Sequence, residues 1–244
     1  MNNYKVIIEY DGTNYHGFAK QPLYNTIQGT LEQVLEKILK EKVTVFGSGR
    51  TDAGVHALNQ VVNFETKLAI EPISLLKAIN SNLPVDIVVK DVETVDNSFH
   101  ARLSAKKKHY KYIINNRTIK SALNRNREMF CKFPLDFLKM QSAIQNLEGE
   151  HDFAGFMNTG SVIKQTIRII EEATIKKEDG IITIDFVGNG FLYNQVRIMV
   201  GTLIEIGRGN LDVDIIEKIL ENKDRKLAGR TVDPQGLYLV EVEY

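Results

Sequence analysis

Twice along its 244 residues this chain repeats one succession of hydrophobic patterns: strand, helix, strand, strand, helix, strand. In the first pass, residues 4–10 alternate as a nearly buried strand, with Val6 and Ile8 on one face. Asp11-Gly12 then marks a turn. Asn25 or Thr26 offers a helix cap, and Ile27, Leu31, Val34, Leu35, Ile38 and Leu39 form a helical stripe. Residues 43–46 and 58–64 read as strands. Pro72 suits the first turn of a helix whose stripe is Ile73, Leu76 and Ile79. Pro84 ends that helix, and residues 87–92 form a strand. In the second pass, residues 109–114 are a strand and 135–147 a helix using Leu135, Leu138, Ile144 and Leu147. Residues 149–160 read as loop. Strands at 167–175 and 181–187 meet at an Asp179-Gly180 turn. A helix over 191–206 carries Leu192, Val196, Met199, Val200 and Leu203. A shorter helix at 213–220 and a closing strand at 237–242 follow. This order is the split βαβ arrangement. It predicts an α+β fold of two ferredoxin-like (RRM-like) βαββαβ halves, residues 1–98 and 99–244. Their antiparallel sheets would lie side by side, with an active-site cleft between them. Residues 115–132 interrupt the second half as a polar, basic insertion.

One connection is too long and too dense for a plain hairpin. Residues 47–57 read GSGRTDAGVHA, where a hairpin needs only two to five residues. Gly47, Gly49 and Gly54 permit backbone angles or close approaches that other residues resist. Asp52 in such a loop is suited to act as nucleophile, general base or metal ligand, or simply to close an Asx-turn. Metal ligation has little support, because no other carboxylate or histidine stands at ligand spacing. Arg50, two residues away, is placed to pair with Asp52 and keep it ionised. A phosphate-binding P-loop and a dinucleotide fingerprint are both missing.

Composition bears on what the loop can act on. The chain is formally neutral, with 31 basic and 31 acidic residues. Yet residues 100–132 hold ten cations against Glu128 alone, a net of +9, so the remainder carries −9. The cations are Arg102, Lys106, Lys107, Lys108, Lys111, Arg117, Lys120, Arg125, Arg127 and Lys132. Such a concentration can focus a field on one face. Tyr110 and Tyr112 share a strand face beside it, and basic residues interleaved with aromatics suit an RNA surface. The same rings also suit a sheet that needs aromatic filling. After residues 188–190 (Gly-Asn-Gly) the chain enters a helix. There Phe191 and Leu192 can wall a pocket, and Arg197 lies at the edge of the apolar stripe, either snorkelling or pairing with an acid such as Asp52. His16, His56, His100, His109 and His151 are scattered. Each suits a structural or RNA-contacting role better than metal ligation. The single cysteine, Cys131, and the lack of a secretory leader or a bilayer-length apolar run point to a cytoplasmic protein with no membrane partner.

These pieces together resemble the TruA family of tRNA pseudouridine synthases. The resemblance rests on YDGTNYHGFAKQP (10–22), TIQGTLEQVL (26–35), GSGRTDAGVHALNQVVNF (47–64), FHARLSAKKKHYKY (99–112), HDFAGF (151–156), GNGFLYNQVRIMVGTL (188–203) and GLYLVEVEY (236–244). It implies an isomerase that converts uridine to pseudouridine in the anticodon stem-loop of tRNA, typically at positions 38, 39 and 40, after flipping the base out. No cofactor or catalytic metal is implied. It implies a homodimer holding one tRNA across both subunits. Asp52 matches the family nucleophile, Tyr110 the tyrosine that stacks near the target base, and Arg197 the arginine that pairs with the aspartate. Arg50 matches a motif arginine associated with the RNA. Leu192 would line the site, while His56, Arg102, Lys106, Lys107 and Lys108 would contact substrate. The chain departs from the family near its end. Residues 229–234 read GRTVDP where a GPTAP-like segment is usual, so Arg230 replaces a proline and Asp233 precedes Pro234. Two other readings compete: a non-catalytic RNA-binding module, and a glycosidic hydrolase using Asp52. The hydrolase would call for a second carboxylate, and none stands near the motif.

Overall fold

The computed structural model describes residues 1–158 and 164–244. In chain order its elements are β1 (Asn2–Tyr10), α1 (Ile27–Leu39), β2 (Phe46–Gly47), β3 (His56–Thr66), α2 (Pro72–Asn80), β4 (Ile87–Val95), β5 (Lys107–Asn115), β6 (Met129–Phe130), α3 (Phe137–Ile144), β7 (Gly149–Asp152), β8 (Ile167–Glu178), β9 (Ile181–Gly188), α4 (Gln195–Gly207), α5 (Ile215–Asn222) and β10 (Leu237–Glu243). The class is α+β, as expected. The chain forms two compact units, Met1–Lys106 with Tyr238–Tyr244, and Lys107–Leu237. Residues 99–106 and the closing strand thus group with the first unit. Hydrogen bonds account for this: Asn3 Nδ2 donates to the Phe99 carbonyl (2.9 Å), the Ala101 amide to Asn63 Oδ1 (2.9 Å), Tyr244 to the Ala101 carbonyl (2.8 Å), and the Lys106 amide to the Glu243 carbonyl (2.8 Å).

In the first unit β1 lies antiparallel between β4 and β3. Tyr4, Val6, Ile8 and Tyr10 alternate into the core. The other edge of β3 is shared. β2 pairs with it antiparallel at Asn63 and Val62, and β10 pairs with it parallel at His56 and Ala57. The strand expected at 43–46 shrinks to Phe46–Gly47. Side chains of α1 take over its ladder: Glu32 Oε1 accepts from the Val45 amide (3.2 Å), and Gln28 Nε2 donates to the Val45 carbonyl (3.1 Å). Thr26 is the helix cap, accepting from the Gly29 amide. On α2 the buried pair is Leu75 and Ile79, four apart. Ile73 points to solvent, which corrects the expected stripe.

In the second unit the sheet order is β5-β9-β8-β7, with β6 parallel to β5. β8 and β9 form the expected hairpin, Asp179 and Gly180 both having positive φ (47° and 75°) as a two-residue turn demands. β7 lies where a loop was expected, at residues 149–152. Its sequence, GEHD, has no apolar alternation, and its pairing with β8 is made by backbone. Residues 159–160 of that expected loop lie outside the described residues. Asp136 caps α3, so the helix starts at Phe137 and buries Met140, Ala143 and Ile144, leaving Leu138 exposed.

Helix α4 is the centre of this unit. It begins at Gln195 rather than 191, because Asn194 takes a left-handed conformation (φ 60°). Every residue of α4 except Arg197 and Glu205 is buried, so the helix is enclosed on all sides. Residues 228–233 cross it as a strap. The Gly229 amide donates to Thr202 Oγ1 (2.9 Å), whose hydroxyl donates to the Ile198 carbonyl (2.9 Å). A Cβ at Gly201 would lie 1.9 Å from the Arg230 carbonyl oxygen.

Gly201→Ala therefore sets two effects against each other. Alanine favours the helix by about 1 kcal/mol. The overpacking against rigid backbone costs about 1–3 kcal/mol or more. The variant is expected to be less stable overall, by a lowered denaturant midpoint at unchanged m-value. A raised midpoint would mean the strap gives way freely.

Candidate active site

The loop at 48–55 is pinned at almost every residue. Its start returns along β3, the Ser48 amide donating to the Val61 carbonyl (2.8 Å). Gln60, buried in β3, donates from Nε2 to the Gly49 carbonyl (3.0 Å). Thr51 is held twice: its carbonyl accepts from the Phe18 amide (3.0 Å), and its hydroxyl meets the Tyr10 hydroxyl (2.8 Å). The Gly54 amide donates to the Tyr15 carbonyl (3.2 Å), and the Val55 amide closes back on the Asp52 carbonyl (3.2 Å). Gly54 needs its positive φ of 77°. Ser48, Thr51 and Val55 are buried, Asp52 is half-buried, and Ala53 is exposed. A carboxylate is thus held at a surface by a loop with little freedom to relax.

Arg50 is exposed, so its guanidinium lies at the surface of the loop. One expectation for this loop changes. The His56 ring is only 3% exposed, so it faces the interior rather than an RNA surface. It stacks on Tyr238 (4.9 Å, 30°), and its Nδ1 lies 3.0 Å from the Gly12 amide and 3.3 Å from Asp11 Oδ1. One nitrogen cannot accept from the first and donate to the second. The shorter contact comes from an amide that has only a donor role, so the Gly12 N–H donates to Nδ1. His56 thereby braces the turn that packs under the loop, where a Cβ on Gly12 would lie 1.9 Å from the Val55 carbonyl oxygen.

The second unit carries Tyr110, Leu192 and Arg197. Tyr110 and Tyr112 share the inward face of β5, with Tyr110 opposite Phe186 in the register. The Tyr110 ring meets Phe191 edge-on (5.1 Å, 83°). Phe191 is placed by the tight entry before it. A Cβ on Gly188 would lie 2.4 Å from the Ile169 carbonyl oxygen, and Asn189 Oδ1 accepts from the Ile169 amide (3.0 Å). Leu192 is buried, its amide donating to Gln195 Oε1 (2.7 Å). Arg197 donates from Nε to the Val232 carbonyl (2.8 Å) and from Nη1 to Asn194 Oδ1 (2.8 Å). The Tyr112 hydroxyl donates to the next carbonyl of the strap, that of Asp233 (2.6 Å). Tyr112, Asn194 and residues 232–233 were not singled out from sequence as partners of Arg197. Contacts to backbone carbonyls leave no signature there.

The basic window divides on inspection. Arg102, Lys106, Arg117, Lys120, Arg125, Arg127 and Lys132 are exposed. Lys107 pairs with Glu171, while His109 (2.7 Å) and Lys111 (3.9 Å) share Asp185. Lys108 instead points to the Tyr110 face of β5, opposite Gly188. No group of three or more His, Cys, Asp or Glu suited to a metal ion occurs among the described residues. No helix among them is long and apolar enough to cross a membrane.

A sequence model described as tRNA pseudouridine synthase matches residues 6–103 and 143–244. The tRNA pseudouridine synthase A of Acetivibrio thermocellus is 48% identical over 244 residues, covering 100% of both chains. That of Limosilactobacillus reuteri is 47% identical over 249 residues, covering 100% of this chain and 97% of the relative. That of Thermoanaerobacter sp. is 46% identical over 244 residues, again covering 100% of both. The family model passes over residues 104–142, which hold Tyr110 and most of the basic window, whereas the full-length relatives align across them.

Tyr10 ties loop rigidity to pH. Burial pushes its hydroxyl up to about 12, against a hydrogen-bonding contribution from Thr51 and Gln60 in the other direction. A raised pKa means the neutral ring contributes stability that is full below about pH 10, the unfolded value, and is lost as pH rises towards 12. Stability of the native chain is expected to fall over that window by about 1.4 kcal/mol per pH unit more than that of Tyr10→Phe. Denaturant midpoints measured across pH 9–12 check this, and parallel curves would refute it.

Proposed function

This chain belongs to the TruA family of tRNA pseudouridine synthases, and from that membership we propose that Asp52 is the carboxylate that acts on the target uridine. The reaction breaks the C1′–N1 glycosidic bond, turns the detached uracil and joins C5 to C1′. C5 gives up its proton and N1 carries one at the end, so the product is an isomer and nothing is consumed. Asp52 serves the sugar–base bond as nucleophile. Arg197 is the cation that keeps the carboxylate ionised. Tyr110 stacks near the base and takes the C5 proton. Leu192 walls the site. Arg50 and Lys108 meet the RNA backbone, with Arg102, Lys106 and Lys107 as outer contacts. The target base must first leave its stack, which costs a few kcal/mol. Phosphate contacts to the basic window offset part of that cost.

The single observation that carries this reading is the loop at 47–57. It matches the family motif residue for residue at GRTDAGVHA and is held rigid around Asp52 by Tyr10, Phe18, Tyr15 and Gln60. Preorganised charge of this kind lowers a barrier without reorganisation during the reaction. The finer parts of the reading follow the same resemblance. They are ferredoxin-like halves, a cytoplasmic homodimer holding one tRNA across both subunits, and action at positions 38 to 40. The strand order β4-β1-β3-β2 of the first unit supports the first of these.

Asp52→Ala is expected to abolish pseudouridine formation while keeping tRNA binding, measured by position-resolved mapping of tRNA and by a filter-binding titration. Normal product formation would sink the assignment. Charge neutralisation tests the lysines. Lys108→Gln is expected to reduce the slope of log K against log salt by about 1. Equal slopes for native chain and Lys108→Gln would mean that Lys108 touches no phosphate.

A further inference from the structure

We infer that Asn194 and Tyr112 are positioning residues for Arg197, acting on the reaction only by fixing the plane and reach of its guanidinium. The inference rests on the reading of Arg197 as partner of the catalytic carboxylate. An asparagine at a helix N-cap ordinarily turns its side-chain oxygen to the N–H groups of the first turn. Asn194 stands at the cap of α4 and makes no such bond. Its backbone is left-handed (φ 60°, ψ 8°), and its Oδ1 accepts from Arg197 Nη1 at 2.8 Å instead. The residue thus forgoes its usual helical role for one on the guanidinium.

The second tether runs through the strap. Arg197 Nε donates to the Val232 carbonyl (2.8 Å), and the Val232 amide returns a bond to the Arg197 carbonyl (3.3 Å). The following carbonyl, of Asp233, accepts from the Tyr112 hydroxyl (2.6 Å). Tyr112 is fully buried, and burial holds its hydroxyl far above the ordinary tyrosine range, so it remains a donor throughout the working pH range. Two bonds to different nitrogens of a planar fork define its orientation. Both anchors are themselves fixed, one by the helix start and one by Tyr112. Tyr112 sits two residues from Tyr110 on β5, so one strand carries a proposed reacting ring and the buttress for the arginine. An otherwise flexible cation is immobilised before substrate arrives, and misplacement of such a group costs rate rather than affinity.

The experiment compares single-turnover rates at saturating tRNA, tRNA affinity and melting temperature for full-length variants. Tyr112→Phe removes one oxygen. Asn194→Gly keeps the left-handed backbone and removes the acceptor, while Asn194→Asp keeps an acceptor. Tyr112→Phe and Asn194→Gly are each expected to slow the step roughly tenfold, the factor that one net hydrogen bond represents, with tRNA affinity unchanged. Asn194→Asp is expected to keep the native rate. In an Arg197→Lys background, which lacks the fork, neither substitution is expected to slow the step further. Native rates for both Tyr112→Phe and Asn194→Gly beside an impaired Arg197→Lys would overturn the inference alone. So would undiminished losses in the Arg197→Lys background, which would mark a general structural role. A native rate for Arg197→Lys would overturn both the inference and the role given to Arg197.

Discussion

Irregular backbone held inside a protein must find a partner for nearly every N–H and C=O it hides. Both segments on which the proposed function draws are irregular, and that requirement shapes each of them. The loop at 48–55 hands its carbonyls at Gly49 and Thr51 to Gln60 and Phe18, and its amide at Gly54 to Tyr15. The strap at 228–233 hands its carbonyls at Ala228 and Gly229 to Arg225, and those at Val232 and Asp233 to Arg197 and Tyr112. Among the described residues no buried side-chain nitrogen or oxygen lacks a partner. The bonds that satisfy the backbone are therefore the same ones that fix the side chains given roles in the proposed function. The groups that saturate the loop also stop Asp52 from drifting, and the arginine that saturates the strap is the one the family resemblance marks out.

The parts of the fold legible in sequence are those where side chains decide. Most of the expected stripes of α1 and α4 are buried (Ile27, Leu31, Val34, Leu35 and Leu39; Val196, Met199, Val200 and Leu203), because burial selects apolar residues at helical spacing, while Ile38 is half-buried and Leu192 precedes its helix. The Asp179-Gly180 hairpin was read because its turn needs positive φ twice. The misreadings fall where backbone or a single polar side chain decides. Residues 43–45 look like a strand, yet Gln28 and Glu32 take the bonds that a neighbouring strand would take. β7 has no strand composition and pairs all the same. Ile73 and Leu138 keep plausible spacing but lie on the wrong side of their helices once Pro72 and Asp136 set the starting points. At the site, Asp52 and Arg197 stood out as charged residues in unusual company. Tyr112 stood out only as a second ring on the face of Tyr110, and Asn194 not at all, since a capping asparagine is ordinary until its partner is known.

Charge tells a similar story at longer range. A net of +9 over residues 100–132 is a sequence fact, but its field depends on what faces each cation. Alternation along β5 sends Lys107, His109 and Lys111 to one side, where Glu171 and Asp185 answer them, and Lys108 to the side of Tyr110. Exposed pairs of this kind contribute about 0–1 kcal/mol to stability. Their larger effect is to subtract from the potential offered to an anionic partner. The window is therefore weaker than its count on one face of the strand, and it keeps Lys108 on the face where Tyr110 lies. The one acid in the window, Glu128, is buried and accepts from Asn115 Nδ2 (2.6 Å), so it anchors the excursion and does little to dilute the surface.

The departure at 229–234 can be judged by the same physics. What the strap supplies to Arg197 and Tyr112 are carbonyl oxygens, at Val232 and Asp233, which any residue provides. What it requires of its own side chains is narrow. Gly229 must lack a Cβ, since one would lie 2.6 Å from the Gly201 backbone, and Val232 must fill a buried position. Arg230 faces outward, and it is its carbonyl that packs on Gly201. A proline replaced by arginine at 230, and an aspartate ahead of Pro234, alter side chains where the strap uses backbone. The segment can therefore diverge from its relatives in sequence while still holding the guanidinium, provided the glycine at 229 and the path of the chain over α4 are kept.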